Sequence, residues 1–403
     1  MTETLAPSTI RLSKRVTDVP LYLFAALDRA RNEAKARGLD VISLGIGDPD
    51  SPTFRQVIDE MHLAIERPVN HRYPDYEGSL AFRQAAANWM ERRFGVTVNP
   101  VDEVMTLIGA KEGIMHLSWA VLDAGDLVIV PEPSYPVYRG GAKFCGADVY
   151  DVPLLEENDF QIDLGSIPTD VAERAKIIWT NYPNNPTSAV ASREFFAELV
   201  AWARRYNVLV VNDNAYSDIY FDAAERPMSI FEIEGAKEVG LEFFSLSKGF
   251  NMTGWRIGWA AGRREFISAL GVIKSNTDSG AFTAVQDAAI VGLNLPFEAQ
   301  DHLRELYRNR RDRVVSRLTA AGFSLCPCHG TIYLWGRVPT TETSVEYASR
   351  LLQATGVVIG PGVGWGPSGE GYFRLCLTTP DDRLDEAVGR IVADFEQWKA
   401  ENT

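Results

Sequence analysis

Between Asp102 and Gly262 the chain alternates short apolar or β-branched runs with longer stretches in which apolar residues recur every three or four positions. The runs at 104–108, 127–130, 149–154, 176–180, 208–211, 242–246 and 257–261 predict strands. Several are apolar almost without a break, as strands covered on both faces are. The intervening stretches predict helices, 111–122 and 192–206 among them. Ser192 offers the second helix an N-cap, and Glu194 places an acid in its first turn. Regular alternation of this kind implies an α/β fold: a mostly parallel central sheet with helices on both faces, and ligands at the carboxyl ends of its strands.

Beyond Pro296 the rhythm changes. A long charged helix is predicted over 297–321, short strands near 323–325, 332–338 and 372–377, and further helices over 344–353 and 381–401. These elements read as a smaller α+β domain. The expected division is a large domain over 46–295 and a small domain formed by 296–403 with 1–45, whose N-terminal arm has no sheet of its own and packs onto it. No internal repeat or low-complexity tract interrupts the pattern.

Length agrees with such a division, since 403 residues at ~150 per domain allow two or three domains with substantial cores. The formal net charge of −14 disfavours a nucleic-acid partner, because phosphate backbones would be repelled and no basic patch stands out. No apolar run reaches the length of a membrane span. The first twenty residues lack the apolar core of a signal peptide, so a cytoplasmic location is expected. Four cysteines fit that compartment, Cys145 and Cys376 reading as small buried thiols. Cys326, Cys328 and His329 lie close together, but no second pair at ligand spacing completes a tetrahedral site, and no metal is expected.

Glycine motifs for nucleotides are incomplete. Gly45 and Gly47 would need a third glycine where Asp50 stands, and Gly362 and Gly364 one where Pro367 stands. The chemically informative segment runs from Phe243 to Trp259: an apolar strand leads into Ser245, Ser247 and a lone Lys248, and Arg256 follows eight positions later. A lysine at the end of a buried strand is desolvated, which lowers its pKa and makes its amine a nucleophile toward aldehydes. Ser245 and Arg256 supply a hydroxyl and a fork of donors suited to phosphate. Asp213 ends another apolar strand, where a carboxylate needs a cationic partner. Arg374 lies inside the apolar run 372–377 and needs an anion. Gly109 and Ala110 join a strand to a helix whose free amides suit phosphate.

The segment Ser245-Leu246-Ser247-Lys248-Gly249-Phe250-Asn251-Met252-Thr253-Gly254-Trp255-Arg256-Ile257-Gly258-Trp259 resembles the signature of the class I/II pyridoxal-phosphate-dependent aminotransferases of fold type I, and further motifs follow in the right order from about Leu44 to the C-terminus. The resemblance implies that Lys248 holds pyridoxal 5′-phosphate covalently and shuttles the substrate's α-proton. It implies that Ser245, Arg256 and the backbone amides of Ala110 and Lys111 bind the cofactor phosphate. Relatives often carry Ser at position 110. Asn185, in Asn181-Tyr182-Pro183-Asn184-Asn185-Pro186-Thr187, and Tyr216 match the residues on the ring oxygen. Asp213 matches the carboxylate on the ring nitrogen, and Tyr135 the aromatic stacked on the ring. Many relatives have Glu where Asn214 stands. Tyr73, in Arg72-Tyr73-Pro74-Asp75-Tyr76-Glu77-Gly78, matches a tyrosine that reaches the partner's phosphate across a homodimer with shared active sites. Arg374 matches the clamp for the substrate α-carboxylate, with the Ile46 and Gly47 backbone and Asn185 alongside.

The implied activity moves an amino group between an amino acid and a 2-oxo acid, with ping-pong kinetics. Segments 43–50, 73–78 and 274–286 look most like the subgroup of LL-diaminopimelate aminotransferases, which use 2-oxoglutarate and serve lysine biosynthesis. The same motifs occur in alanine, aspartate and broad-specificity relatives, and a carbon–sulfur lyase shares every cofactor residue. An amino-acid-sensing regulator on the same fold would carry a DNA-binding domain, for which there is neither room nor basic charge. Asp48 or Asp278 is the expected partner of a distal substrate ammonium.

Overall fold

The computed structural model describes residues 11–17 and 23–402. The arm expected over 1–45 thus falls in part, at 1–10 and 18–22, outside the described residues. Twelve strands are described in chain order: β1 (Ile42–Ser43), β2 (Val104–Leu107), β3 (Leu127–Glu132), β4 (Asp148–Pro153), β5 (Ala175–Thr180), β6 (Leu209–Asp213), β7 (Gly240–Ser245), β8 (Gly258–Gly262), β9 (Tyr333–Arg337), β10 (Val357–Val358), β11 (Gly360–Pro361) and β12 (Tyr372–Cys376).

Seven of them form one sheet in the order β2-β8-β7-β6-β5-β3-β4. All neighbours pair in parallel except β8, which runs antiparallel to β2 and β7. The seven apolar runs therefore all become strands of one mixed, mostly parallel sheet. Two apolar cores lie against it, one containing Trp89, Phe244 and Trp259, the other Trp179, Phe243 and Leu117. Adjacent β7 residues Phe243 and Phe244 belong to different cores because side chains alternate across a strand.

Helix Arg193–Tyr206 begins as its sequence predicts, with the Ser192 side chain accepting from Phe195 N–H, and ends at Asn207 in the left-handed conformation. A separate core gathers Tyr307, Val314, Leu334, Phe373 and Phe395 with Ile42 and Leu44 from the N-terminal side. There β11, β12 and β9 form a three-stranded antiparallel sheet. Two expectations are corrected. The strand near 323–325 is reduced to a single bridge between Leu325 and Gly336, because Phe323 turns into the core instead of continuing a ladder. The N-terminal side, expected to lack any sheet, contributes β1, which pairs in parallel with β10. No helix among the described residues is long and apolar enough to cross a membrane.

Candidate active site

A cavity of about 310 Å³ opens where β5, β6 and β7 end, and residues from both sides of the molecule line it. Strand β7 delivers Ser245 and Lys248. Ser245 Oγ accepts from Ser247 N–H at 3.1 Å and caps the turn Leu246–Gly249, which carries the lysine into the cavity. Lys248 Nζ donates to the Gly47 carbonyl at 2.5 Å. Burial pushes its pKa down to about 8, with nearby Asp48 pulling in the opposite direction. About half of the side chain is therefore free amine at that pH, far more than for an exposed lysine.

Asp213, the last residue of β6, is 5% exposed. Tyr138 Oη donates to its Oδ2 at 2.8 Å, and its Oδ1 makes no hydrogen bond of normal geometry. Burial raises this carboxyl to about 6, and the Tyr138 hydroxyl and Ala215 backbone offset only part of that. Tyr138 is fixed by an aromatic stack, 4.8 Å from the Trp179 ring at 11°, and Trp179 in turn stacks on Phe243. Asn181 closes the network, donating to the Asp213 carbonyl at 2.6 Å and accepting from Asn185 N–H at 2.8 Å.

At the other end of the cavity, helix Ala110–Val121 starts after Gly109, whose backbone (φ 78°, ψ 153°) is one that glycine alone adopts readily. A Cβ there would strike the Arg256 guanidinium. Arg256 is itself left-handed (φ 54°), with its Nη1 donating to the Thr253 carbonyl at 2.9 Å. A first-turn backbone, a serine and an arginine thus converge where an anion fits. An unpartnered buried carboxylate oxygen, an amine with lowered pKa and an anion cradle share this cavity. Together they match a small molecule bearing a ring cation, a carbonyl and a phosphate, so the residues present fit pyridoxal 5′-phosphate.

Arg374 is fully covered in the middle of β12. It donates to Asn185 Oδ1 and to the Gly45 carbonyl, each at 2.7 Å, and lies between the Tyr333 and Trp365 rings at 4.1 and 4.3 Å. Its guanidinium sits behind Asn185 and Tyr333 and not among the cavity-lining residues. Gly47 is required by close approach: a Cβ would come within 2.5 Å of the Tyr333 ring. Tyr216 and Tyr333 share a hydrogen bond between hydroxyls at 2.9 Å.

Ile46, Gly47, Ala110, Lys111, Tyr135, Asn185, Asp213, Tyr216, Ser245, Lys248 and Arg256 are brought together around the cavity, and Asp48 joins them. Tyr73 does not. It is 90% exposed on the surface of the single chain. Asp278 lies elsewhere, with both carboxylate oxygens 3.0 Å from Lys274 Nζ, in a cluster with Glu112 and His116. Tyr138, Asn181, Tyr333 and Trp365 were not singled out from the sequence. Asn181 stands inside a motif noticed for another residue and Tyr138 three residues after Tyr135, whereas no local signal marks Tyr333 or Trp365.

The fold and cavity define a cofactor-dependent transferase of amino groups, and the family model for aminotransferases of class I and II matches residues 39–391. The chain belongs to that family, whose enzymes use pyridoxal 5′-phosphate. It is 52% identical over 379 residues to the LL-diaminopimelate aminotransferase of Aquifex aeolicus, covering 94% of this chain and 98% of that protein. It is 50% identical to the enzyme of the same name from Moorella thermoacetica, over 94% and 97%. Among solved structures it resembles a probable N-succinyldiaminopimelate aminotransferase from Thermus thermophilus (TM-score 0.87, 35% identity, 92% and 99% covered). It also resembles a single mutant of the aspartate aminotransferase of Thermus thermophilus (TM-score 0.89, 30% identity, 96% and 100% covered).

Proposed function

We propose that this aminotransferase interconverts LL-2,6-diaminopimelate and its 2-oxo acid with 2-oxoglutarate and glutamate as the partner pair. The observation that carries the substrate is the 52% identity, over nearly both full lengths, to an enzyme of that name. In this reading Lys248 holds the cofactor covalently, and Asp213 faces its ring nitrogen. Asn185 and Tyr216 bond its ring oxygen, and Tyr135 covers the ring. Ser245, Arg256 and the Ala110 and Lys111 amides hold its phosphate. When bound, the cofactor's protonated ring draws electrons from the substrate's α-carbon and so loosens the α-proton. Lys248, displaced from the cofactor by the substrate's own amine, would be free to take that proton at Nζ, its lowered pKa keeping amine available near neutral pH. Arg374 holds the α-carboxylate, which competes with the neutral acceptors Asn185 and Gly45 by forming charge-assisted bonds. Asp48, on the cavity wall, takes the distal ammonium.

The reading includes a cytoplasmic homodimer in which Tyr73 of the partner subunit completes each phosphate site. Leu63, Val69, Tyr73, Tyr76 and Leu80 are all more than half exposed along one short stretch, which supports a covered surface there. The division into 46–295 and a small domain of 296–403 with 1–45 is supported by two cores drawn mostly from either side of it, although Trp335 and Trp365 pack into the first and Tyr216, Ile219 and Phe221 into the second.

Single-turnover bleaching of the bound cofactor across a panel of amino acids tests the function. LL-diaminopimelate should react with the highest kcat/KM, and Lys248→Ala should lose turnover and the visible absorbance of the bound cofactor together. Faster bleaching by alanine or aspartate would reassign the substrate. Release of pyruvate and ammonia from cystathionine with no oxo acid present would point to a carbon–sulfur lyase.

A further inference from the structure

Asp213 acts only if its carboxylate is aimed, yet among the described residues Tyr138 is the one side chain bonded to it. The other face of the sheet holds a second acid. Glu242 on β7 is 0% exposed and outside the cavity, directly opposite Asn212 in the β6–β7 register. Because side chains alternate along a strand, the residues on either side of Asp213 point away from the cavity toward this face. Both are asparagines, and both donate to the same atom: Asn212 Nδ2 to Glu242 Oε1 at 2.7 Å, and Asn214 Nδ2 to Glu242 Oε1 at 2.9 Å. Ser229 Oγ donates to Oε2, and the Ile230 amide reaches Oε1 at 3.3 Å. Asn212 is held from its other side by Thr180 Oγ1 at 3.0 Å, and the Asn214 amide donates to the Phe243 carbonyl at 2.8 Å.

Burying a carboxylate this completely is costly unless donors surround it. The sheet ladder itself uses only the Glu242 backbone, and its side chain is taken up by these donors. What the acid achieves is a clamp spanning the backbone immediately before and after Asp213. We propose that Glu242 is a positioning residue for Asp213: through Asn212 and Asn214 it fixes the end of β6, and so fixes the direction in which the Asp213 carboxylate meets the cofactor ring nitrogen. The proposal rests on the aminotransferase reading. It gives the departure at position 214 a reason, since a glutamate there would set a second carboxylate against Glu242, whereas Asn214 supplies a donor.

The test compares Glu242→Leu, Glu242→Gln and Asn214→Ala with the wild-type holoenzyme, each loaded with cofactor carrying ¹⁵N in its ring. Glutamine keeps a carbonyl oxygen for both asparagines and should behave as wild type. In Glu242→Leu the ring ¹⁵N resonance should shift toward the unprotonated position, and kcat should fall about tenfold or more while KM for the oxo acid stays within about twofold. Asn214→Ala should shift both in the same direction by less, and it decides the matter should the leucine variant fail to fold. A loaded variant with reduced kcat and an unmoved ring resonance would overturn the proposal. So would a glutamine variant that behaves like leucine, because charge and not positioning would then be at work. Wild-type chain that takes up no cofactor would instead overturn the aminotransferase reading.

Discussion

Burial moves two ionisable groups that line the cavity in opposite directions, Lys248 toward free amine and Asp213 toward neutral acid. Each shift disfavours a charge that the buried surroundings do not solvate, and a bound cofactor would supply what both lack. A consequence is measurable without any cofactor. The folded chain holds the Asp213 proton up to about pH 6, against 3.8 for the ordinary group, so it binds more protons than the unfolded chain between those values. This group's contribution to stability is therefore greatest below about pH 4 and declines as pH rises to about 6, by on the order of 3 kcal/mol. Glu242, raised to about 7, adds to the same slope, so the comparison with Asp213→Asn isolates the Asp213 part. Melting temperatures of cofactor-free protein from pH 4 to 6.5 should fall less in Asp213→Asn than in wild type. Parallel curves would show that the carboxyl is not desolvated. Both residues were legible in the sequence as charged groups at the ends of apolar strands. Tyr138 was not, because its importance comes from a hydroxyl placed on Asp213 by stacking on Trp179, residues 41 positions apart in the chain.

At the scale of elements, the site depends on how strands hand over to turns and helices. The Gly109 backbone permits helix Ala110–Val121 to start against the Arg256 side chain without collision. Gly109→Ala forces a non-glycine residue into a conformation costing roughly 1–3 kcal/mol and pushes its Cβ into the guanidinium. The substitution should lower the melting temperature and weaken cofactor uptake in fluorescence titration; wild-type affinity would mean that Arg256 does not serve the phosphate. The seven strands of the main sheet and helix Arg193–Tyr206 with its Ser192 cap were legible because a uniformly apolar run or a capped amphipathic stretch carries its own signal. The strand near 323–325 was misread and β1 was missed. Two- or three-residue pairings have no periodicity to detect, and the partner decides them: Val357 and Val358 for β1, Gly336 for Leu325.

At the scale of the whole molecule, a chain of net charge −14 handles a substrate and cofactor rich in negative charge, so global attraction cannot recruit them. In the proposed reading local donors take that role, notably Arg256, Arg374 and the start of helix Ala110–Val121. The exposed Tyr73 gives the proposed homodimer its decisive test. Chains carrying Lys248→Ala and chains carrying Tyr73→Ala, each impaired alone, should regain activity when unfolded and refolded together, because a mixed dimer has one site free of both substitutions. No recovery, with mixed dimers verified by differential tagging, would place Tyr73 outside the active site.

The sequence by itself determined the class of fold, the family motifs and most of the residues that meet at the cavity, because alternating apolar runs and short contiguous motifs are local properties. Only the tertiary structure decided which of those residues touch. It seated Arg374 behind Asn185 and between two aromatic rings, tied Asp278 to Lys274 away from the cavity, and set Glu242 beneath Asp213. The contacts of Arg374 and Glu242 join segments far apart in the chain, and Lys274, four residues from Asp278, is shared with the distant Glu112. Their partners are chosen by packing and by the need of every buried charge for a counterpart, a constraint satisfied in space and not along the sequence.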